Sequence, residues 1–421
     1  MNGLNLQKEF DILFYEVKGS TFGLDRYSGY WTFGHTVEEI VNHIYCRRME
    51  DQGLPPKKHL IPKSKSITII IHATNNCSLR CKYCYADSGR KHNGDFSMFI
   101  FSRLLELVKH SSQSDYSFIF HGGEPLLRFD MLKEMVAESL KLKNKNIRHF
   151  IQSNGVNINS QILRWIKKTN TKISISLDGY ADIHNLNRVF ANGMGSWKIV
   201  LSNIKRLLAI GINPAINCVL TPETDVQLLL DFFLDNEILS FKIELMRGKW
   251  LNDEHYRTLV KKYLKLINLI VNHNLNSTHK ISEGRLISYL SSFVKQGNTL
   301  VCGKYPCNAG KSFFLLDEGG SFLPCGQFYG MSQFQAVNIN NVKNFAEVEN
   351  SFKNYRENYQ KKMDSYCDGC VWTSICCRIC PRTVMTTDEI NCCLQKEVYY
   401  FIIEHLQEKK TVLAMLGKPC C

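Results

Sequence analysis

Apolar positions between residues 66 and 290 follow two alternating periods. Short apolar, β-branched runs predict six strands, at Ile67–His72, Ser117–Phe120, Arg148–Gln152, Lys172–Leu177, Asn213–Leu220 and Ser240–Met246. Helical periodicity predicts helices between them, at Met98–Lys109, Asp130–Lys143, Ser160–Lys168, Ser196–Ala209 and Asp225–Asn236, with a longer helix at Asp253–Asn272. This alternation is typical of parallel strands joined by crossover helices. The pattern therefore predicts an α/β fold, with six strand–helix units forming an incomplete (β/α)6 barrel.

Residues 1–62 have a different pattern and form a unit of their own. Phe10–Val17 and Thr21–Leu24 are predicted to be strands on either side of a Lys-Gly-Ser turn. Thr36–Arg48 has the spacing of an amphipathic helix. We therefore expect a small α+β unit before the barrel.

The composition indicates a water-soluble globular protein. Of the 421 residues, 44% are hydrophobic and 22% are charged, and no apolar run reaches the length of a membrane span. Met1–Glu9 lacks the pattern of a signal peptide, so we expect a cytoplasmic protein without a membrane partner. In that compartment 17 cysteines favour metal ligation over a disulfide framework.

The formal net charge of +13 permits an acidic partner, either a nucleic acid or an acidic peptide. The basic cluster of Lys57, Lys58, Lys63 and Lys65 lies in a proline-containing stretch that is typical of a linker. A solvated basic surface explains such runs, and we expect no nucleic-acid partner.

Three cysteines follow the first predicted strand, at Cys77, Cys81 and Cys84. Spacings of four and three residues allow one tight loop to place three thiolates around a single inorganic centre. A structural zinc ion normally takes four protein ligands, whereas an iron–sulfur cubane with three thiolates keeps one iron open. A buried helical stripe is the alternative, and Asn75 and Asn76 interrupt its pattern.

This Cys-x3-Cys-x2-Cys loop, with an aromatic residue before its third cysteine, resembles the signature of the radical S-adenosylmethionine (SAM) enzymes. The resemblance implies a [4Fe–4S] cluster on Cys77, Cys81 and Cys84. It also implies that the amino and carboxylate groups of SAM bind the open iron, and that the six strand–helix units form the partial barrel of this family.

Polar residues at the next strand ends extend the resemblance. His121-Gly122-Gly123-Glu124-Pro125 is similar to the family's GGEP motif, which holds the SAM amino group. Positions matching Ser153, Ser176 and Arg188 contact SAM in such families, and Arg188 is expected to pair with the SAM carboxylate. The candidate cofactor-binding residues are therefore Gly122, Gly123, Glu124, Ser153, Ser176 and Arg188.

A second cysteine array occupies residues 300–410, before a tail at 411–421. It comprises Cys302-x4-Cys307, Gly320-x4-Cys325, Cys367-x2-Cys370-x5-Cys376-x3-Cys380 and Cys392-Cys393. From Cys307 onward it resembles the SPASM (twitch-type) extension of radical SAM enzymes. The resemblance implies two auxiliary [4Fe–4S] clusters, one on Cys302, Cys307, Cys325 and Cys380 and the other on Cys367, Cys370, Cys376 and one of the last pair, with Cys393 as the candidate. If Cys302 is not a ligand, the first of these clusters has an iron open to a substrate thiol.

The combined resemblance implies an enzyme that cleaves SAM reductively and takes a hydrogen atom from a precursor peptide or small protein, with flavodoxin or ferredoxin as electron donor. We expect an intramolecular crosslink, thioether or carbon–carbon, as in the sactisynthase and ranthipeptide maturases. The N-terminal unit motivates this, because it resembles a reduced winged-helix type of peptide-recognition element; a simple cap on the barrel is the alternative. The competing functions are oxidation of Cys or Ser to formylglycine, as in anaerobic sulfatase-maturing enzymes, and a zinc-binding protein that interacts with nucleic acid. The sequence assigns no catalytic base.

Overall fold

The computed structural model describes residues 5–7, 12–26, 28–50, 66–90, 94–247, 251–294, 308–370, 372, 375–376, 380–386 and 392–418. Two predicted ligands, Cys302 and Cys307, and the basic stretch of residues 57–65 lie outside the described residues. Contacts divide the chain into two units. Unit 1 comprises Met1–Lys63, Tyr256–Cys307 and Asn358–Cys421, and unit 2 comprises Ser64–His255 and Asn308–Glu357.

The six predicted strands of the barrel region are all present, with ends that differ by a few residues. In chain order the strands are Asn5–Gln7 (β1), Ile12–Val17 (β2), Ser20–Asp25 (β3), Trp31–Gly34 (β4), Ser66–Thr74 (β5), Asp115–Gly122 (β6), Asn146–Ser153 (β7), Lys172–Ser176 (β8), Ala215–Leu220 (β9), Ser240–Leu245 (β10), Ser282–Glu283 (β11), Phe313–Leu316 (β12) and Phe322–Leu323 (β13).

The predicted helices are also present. The helices are Val37–Glu50 (α1), Met98–His110 (α2), Phe129–Ser139 (α3), Ser160–Thr169 (α4), Ala181–Asn187 (α5), Trp197–Ala209 (α6), Val226–Asp235 (α7), Asp253–Asn276 (α8), Gly284–Val294 (α9), Phe345–Ser351 (α10), Lys353–Tyr366 (α11), Pro381–Thr386 (α12), Cys393–Ile403 (α13) and Lys409–Met415 (α14). The sequence pattern missed α5, whose seven residues are too short for an amphipathic repeat. Among the helices that the structure describes, none combines the length and hydropathy that a membrane crossing requires.

The sheet of unit 2 has the strand order β10-β9-β8-β7-β6-β5-β12-β13. Strands β5 to β10 pair in parallel in sequence order, β12 pairs in parallel with β5, and β13 is antiparallel to β12. Helices α2, α3, α4, α6 and α7 connect the six parallel strands and bury one apolar side each. This arrangement confirms the predicted α/β class.

The strand order places the predicted motifs together. Cys77 follows β5, Gly123 follows β6, Asn154 follows β7 and Leu177 follows β8. Because the carboxyl ends of neighbouring parallel strands lie at one edge of a sheet, these four segments share that edge. The candidate site is built there.

In unit 1 the strands β1-β2-β3-β4 form an antiparallel sheet. Lys18 and Gly19 join β2 to β3 with φ angles of 45° and 80°, as a two-residue hairpin turn requires. Ile12 and Phe14 of β2 pack against Ile40 and Ile44 of α1 in a small core. The sequence predicted two strands and one helix here; β1 and β4 are additional, because strands of three and four residues give little period-two signal.

The cysteine-bearing part of unit 1 is built from short helices. Tyr359 and Met363 of α11 form a buried cluster with Val384 of α12, and Cys367 and Cys392 pack against it. The apolar packing of these helices therefore brings two of the predicted ligands to one place.

Candidate active site

The loop after β5 presents three half-buried thiols, at Cys77, Cys81 and Cys84. The backbone N–H of Leu79 donates to Cys77 Sγ at 3.4 Å, and Asn154 Nδ2 lies 3.5 Å from the same sulfur. Burial raises the pKa of the Cys77 thiol to about 12, although both hydrogen bonds favour the thiolate. A bound metal ion supplies the positive charge that deprotonates such a thiol.

The three thiols also influence one another. The charges of Glu124 and Cys81 add to the raised pKa of Cys77, and the pKa of Cys81 is raised by burial and by the charge of Cys84. In the described part of the chain, no three His, Cys, Asp or Glu side chains are placed to hold a single metal ion. Three cysteines in one loop, with two N–H donors on Cys77 Sγ, are a donor set that fits an iron–sulfur centre.

Glu124 is fully buried and serves as a hydrogen-bond acceptor at the end of β6. Its carboxylate accepts Ser153 Oγ at 2.9 Å, the Asn154 N–H at 2.7 Å and the Leu126 N–H at 3.1 Å. Burial raises the pKa of Glu124 to about 7 and outweighs these bonds, which lower it. Asn154 is thus a bridge, because its backbone binds Glu124 while its side chain reaches Cys77.

Gly122 and Gly123 lie against the backbone that leads into the cysteine loop. A Cβ atom on Gly122 would lie 2.3 Å from the Thr74 carbonyl oxygen, and one on Gly123 would lie 2.2 Å from that of Asn76. Gly122 also has a φ of 134°, which favours glycine. The space beside these glycines is therefore filled by the chain's own backbone, and direct contact with a cofactor stays a prediction.

Arg188 follows α5 and is buried beside the cysteine loop. Its Nε and Nη2 donate to the two carboxylate oxygens of Asp178 at 2.9 and 3.1 Å. Asp178 also accepts the hydroxyl of Tyr83 and the Val219 N–H. Arg188 hydrogen-bonds Cys81 and opposes the rise in its pKa that burial causes. Its planar fork thus binds an internal carboxylate, and pairing with the SAM carboxylate stays a prediction.

The remaining predicted cofactor residues occupy neighbouring strand ends. Ser153 ends β7 and is bonded to Glu124, while Ser176 ends β8 and is half-buried. A cavity of about 730 Å³ borders β6 to β9 and the segments that precede β8 and β9. None of the predicted cofactor-binding residues lines this cavity, so it is separate from the candidate site.

In the second cysteine array, Cys392 is close to two predicted ligands. Burial, together with the charges of Cys367 and Cys370, raises the pKa of Cys392 to about 11. Burial and the charge of Glu397 raise the pKa of Cys393, and the charges of Arg257 and Lys396 lower it. Among the described residues, the pair Cys367 and Cys370 thus has Cys392 as its neighbour.

The other predicted ligands are placed as follows. Cys376 donates its backbone N–H to the Trp372 carbonyl at 2.8 Å, and Cys380 precedes α12 and accepts the Val384 N–H with its own carbonyl. Cys325 lies in unit 2, directly before a short 3-10 helix that begins at Gly326.

The sequence pointed to the strand ends that contain Asn154 and Asp178, but it assigned no individual role to Asn154, Asp178 or Tyr83. Each stands beside a residue that was singled out: Asn154 follows Ser153, Asp178 lies two residues after Ser176, and Tyr83 precedes Cys84. Their position at a strand end or in the cysteine loop was the available signal. Their partners depend on the pairing of β7, β8 and β9, which no local pattern specifies.

Comparison with known proteins agrees with this geometry. The model of the radical SAM superfamily matches residues 71–233. A cysteine-type anaerobic sulfatase-maturating enzyme of Clostridium novyi (strain NT) is 30% identical over 349 residues, which cover 76% of this chain and 88% of that protein.

Solved structures share the fold. Native anSMEcpe with bound AdoMet and Kp18Cys peptide has a TM-score of 0.69 and 21% identity, over 83% of this chain and 99% of that one. Streptococcus suis SuiB bound to precursor peptide SuiA has a TM-score of 0.55 and 17% identity, over 92% and 97%. From the three-thiol loop, the buried Glu124 beside it and the match to the Clostridium novyi enzyme, we conclude that the chain belongs to the radical SAM superfamily and is a homologue of the anaerobic sulfatase-maturating enzymes.

Proposed function

We propose that this protein is a radical SAM maturase that forms an intramolecular crosslink, thioether or carbon–carbon, in a ribosomally made precursor peptide. The observation that carries the proposal is the hydrogen-bonded connection from Glu124 through Asn154 to Cys77, which joins an anionic group to a three-thiol loop. A positively charged amine and an iron–sulfur cluster are the partners that these two groups suit.

Each residue of the candidate site is assigned a role that suits its chemistry. Cys77, Cys81 and Cys84 would hold a [4Fe–4S] cluster, and Glu124 offers an anion to the SAM amino group. When bound, cluster and SAM supply a 5′-deoxyadenosyl radical that removes a hydrogen atom from the substrate. Ser153 hydrogen-bonds the Glu124 carboxylate and fixes its orientation. Arg188 places a positive charge beside Cys81, which favours the thiolate that iron requires.

The second array extends this assignment to auxiliary clusters. For the cluster on Cys367, Cys370 and Cys376, the charge of both Cys367 and Cys370 at Cys392 supports Cys392 as a candidate fourth ligand beside Cys393. For the other cluster, the ligand set of Cys302, Cys307, Cys325 and Cys380 rests on the sequence spacing. Such clusters accept an electron or hold a substrate, and burial and full thiolate ligation tune their potential.

Two observations support a peptide as the substrate. The solved neighbours anSMEcpe and SuiB bind the Kp18Cys peptide and the precursor peptide SuiA, respectively. This chain also has a four-stranded sheet with a helix packed on it before the barrel strands, which we assign to peptide recognition. Flavodoxin or ferredoxin would be the electron donor, in the cytoplasm.

The test is mass spectrometry after anaerobic reaction. Full-length reconstituted protein is incubated with SAM and dithionite, together with the short peptide encoded beside its gene. We expect 5′-deoxyadenosine and a peptide that has lost two hydrogens, with the linkage located by fragmentation. Absence of 5′-deoxyadenosine, or a colourless protein containing only zinc, would contradict the radical mechanism and favour the zinc-binding alternative.

Sulfatase maturation is the second candidate, and the 30% identity to the Clostridium novyi enzyme favours it. A synthetic Cys-containing sulfatase peptide in the same reaction distinguishes the two functions. Conversion of that peptide to formylglycine, without change in the gene-adjacent peptide, would replace crosslinking by sulfatase maturation.

A further inference from the structure

Two histidines beside the cysteine loop have ring nitrogens without hydrogen-bond partners. His72 of β5 and His121 of β6 are opposite one another in the parallel register. His72 Nε2 and His121 Nδ1 are buried and have no hydrogen-bond partner in the described part of the chain. Buried polar atoms are almost always paired in folded proteins, so two unpaired nitrogens side by side point to a missing partner.

These histidines belong to a contiguous polar group that reaches the cysteine loop. The His72 ring stacks on Tyr329, with centroids 3.7 Å apart and planes within 7°. Tyr329 donates its hydroxyl to Glu318 Oε1 at 2.7 Å, and Glu318 Oε2 is a third buried atom without a partner among the described residues. On the other side, the His121 ring lies 6.3 Å from that of Tyr85, the residue after Cys84.

Two other buried histidines show that burial alone does not produce such nitrogens. In β7, His149 Nε2 is bonded to Ser139 Oγ at 2.7 Å. In α5, His184 Nε2 is bonded to Ser196 Oγ at 3.0 Å, and its Nδ1 accepts the Asp178 N–H at 3.3 Å. His149 and His184 thus hydrogen-bond to their own chain, whereas His72 Nε2 and His121 Nδ1 have no such partner among the described residues.

The rings of His72 and His121 are both neutral at physiological pH. Burial lowers the pKa of His72 to about 3, with a smaller effect from His121, and burial lowers the pKa of His121 to about 4. A neutral imidazole has one nitrogen that accepts a proton. His72 is only 1% exposed, whereas part of His121 is exposed beside its buried Nδ1, so a substrate would approach His121 and not His72.

We propose that His121 accepts the proton that the peptide substrate loses during crosslinking, with His72 opposite it in the neighbouring strand. This assignment rests on the proposed function. For a thioether the atoms and electrons balance. A substrate C–H bond loses its hydrogen atom to the 5′-deoxyadenosyl radical, and the thiol S–H gives its proton to His121. The C–S bond then forms as one electron passes to an auxiliary iron–sulfur cluster. The substrate class is therefore a peptide whose reacting group is a thiol.

The experiment compares His121→Gln with His149→Gln in the reconstituted full-length protein. The two variants make the same change in neighbouring strands. His149 Nε2 has a protein hydrogen-bond partner, whereas His121 Nδ1 has none among the described residues. The substrate is the gene-adjacent peptide with all its carbon-bound hydrogens replaced by deuterium. We expect His121→Gln to transfer deuterium to 5′-deoxyadenosine as the wild type does, because that step needs no base, while crosslinked product forms about 100-fold more slowly. We expect the product rate of His149→Gln to stay near that of the wild type.

A chemical rescue separates a proton acceptor from a structural residue. In His121→Ala, added imidazole should restore part of the product rate without changing deuterium transfer. Imidazole should have no effect on the wild type or on His149→Gln. Equal iron content in all variants shows that the cysteine loop is intact.

Each other result overturns a specific part of the proposal. His121 is not the proton acceptor if His121→Gln forms product as fast as the wild type. The same conclusion follows if His121→Gln loses both deuterium transfer and product and imidazole does not restore product in His121→Ala. In either case the proposed function of the protein still stands. If the wild type makes 5′-deoxyadenosine but changes no peptide, the proposed function is wrong, and the role of His121 fails with it.

Discussion

At the scale of single residues, Asp178 connects three parts of unit 2. It is fully buried and binds Arg188 after α5, the backbone of Val219 in β9 and Tyr83 in the cysteine loop. The Arg188 guanidinium also lies 5.3 Å from the centre of the Tyr83 ring. A bidentate, buried ion pair of this kind is strong only while both charges are present.

Replacing Asp178 by asparagine should therefore destabilise the protein. Asp178→Asn leaves the Arg188 cation buried without its anion, and we expect the free energy of unfolding to fall by about 3–5 kcal/mol. Urea unfolding of the metal-free protein measures this loss. The control is Asp182→Asn, on the exposed side of α5, for which we expect a change below about 1 kcal/mol. Similar losses in both variants would show that the ion pair contributes little.

At the residue scale, the sequence predicted those site residues that lie close together along the chain. Cys77, Cys81 and Cys84 lie together because all three fall within eight residues of one loop. The partner of Arg188 could not be predicted, because Asp178 lies ten residues away and meets it only after α5 has turned the chain. The choice between Cys392 and Cys393 was likewise open, since adjacent residues point to different neighbours.

At the scale of elements, the turn after β6 positions the cysteine loop by close backbone contact. The Gly123 N–H donates to the Thr74 carbonyl at 2.7 Å, and the Glu124 N–H donates to the Asn76 carbonyl at 2.8 Å. These bonds hold the residues just before Cys77 against the residues just before Glu124. The separation between the thiol loop and the carboxylate thus depends on the absence of side chains at Gly122 and Gly123.

Adding one methyl group at Gly123 should disrupt this contact. In Gly123→Ala the new Cβ would lie 2.2 Å from the Asn76 carbonyl oxygen, so the segment before Cys77 must move. We expect the rate of SAM cleavage to fall about 100-fold, since displacements near 1 Å at an active site cost that much. Chromatographic assay of 5′-deoxyadenosine measures the rate.

The control for Gly123→Ala is Gly211→Ala. Gly211 is exposed, has a φ of 78° and has open space within 4 Å of the point where a Cβ would lie, so alanine adds backbone strain without a clash. SAM cleavage should stay near the wild-type rate in this control. A normal rate in Gly123→Ala would show that the loop tolerates the displacement.

The long elements could be predicted because their hydrophobic periods are clear, and the short ones could not. Strand β5 carries an apolar run that is buried on both sides, and β8, β9 and β10 alternate between buried and more exposed positions. The strands β1 and β4 and the helix α5 are short, and contacts with the rest of their unit decide their conformation. The close contact of the paired glycines with the backbone of Thr74 and Asn76 was not predicted, because it depends on how β5 and β6 pair.

At the scale of the whole molecule, buried titratable groups determine how stability depends on pH. Burial lowers the pKa of His72 to about 3 and those of His121, His149 and His184 to about 4, so these rings stay neutral in the folded state. In the unfolded chain they bind protons near pH 6.5. Glu124 acts in the opposite direction, because its raised pKa of about 7 makes the folded state bind a proton that the unfolded chain has lost.

We expect the metal-free protein to lose stability as the pH falls below 6.5. The four histidines then bind protons only on unfolding, and each such proton lowers the free energy of unfolding by about 1.4 kcal/mol per pH unit. At pH values between the unfolded and folded pKa of Glu124, proton binding by Glu124 in the folded state offsets the loss of stability that one histidine causes. Urea unfolding at pH 7 and at pH 5 measures the difference. Stability that is equal at the two values, or greater at pH 5, would contradict this expectation.

The double role of Asn154 has a consequence for engineering. One residue binds the carboxylate of Glu124 through its backbone and the sulfur of Cys77 through its side chain. If Glu124 binds the SAM amino group as proposed, a redesign that moves its carboxylate to admit an altered sulfonium compound would shift a donor on the Cys77 sulfur and alter the electronic environment of that thiolate. Cosubstrate selectivity and redox potential cannot be tuned independently here, and libraries that vary one of the two loops alone would sample both properties at once.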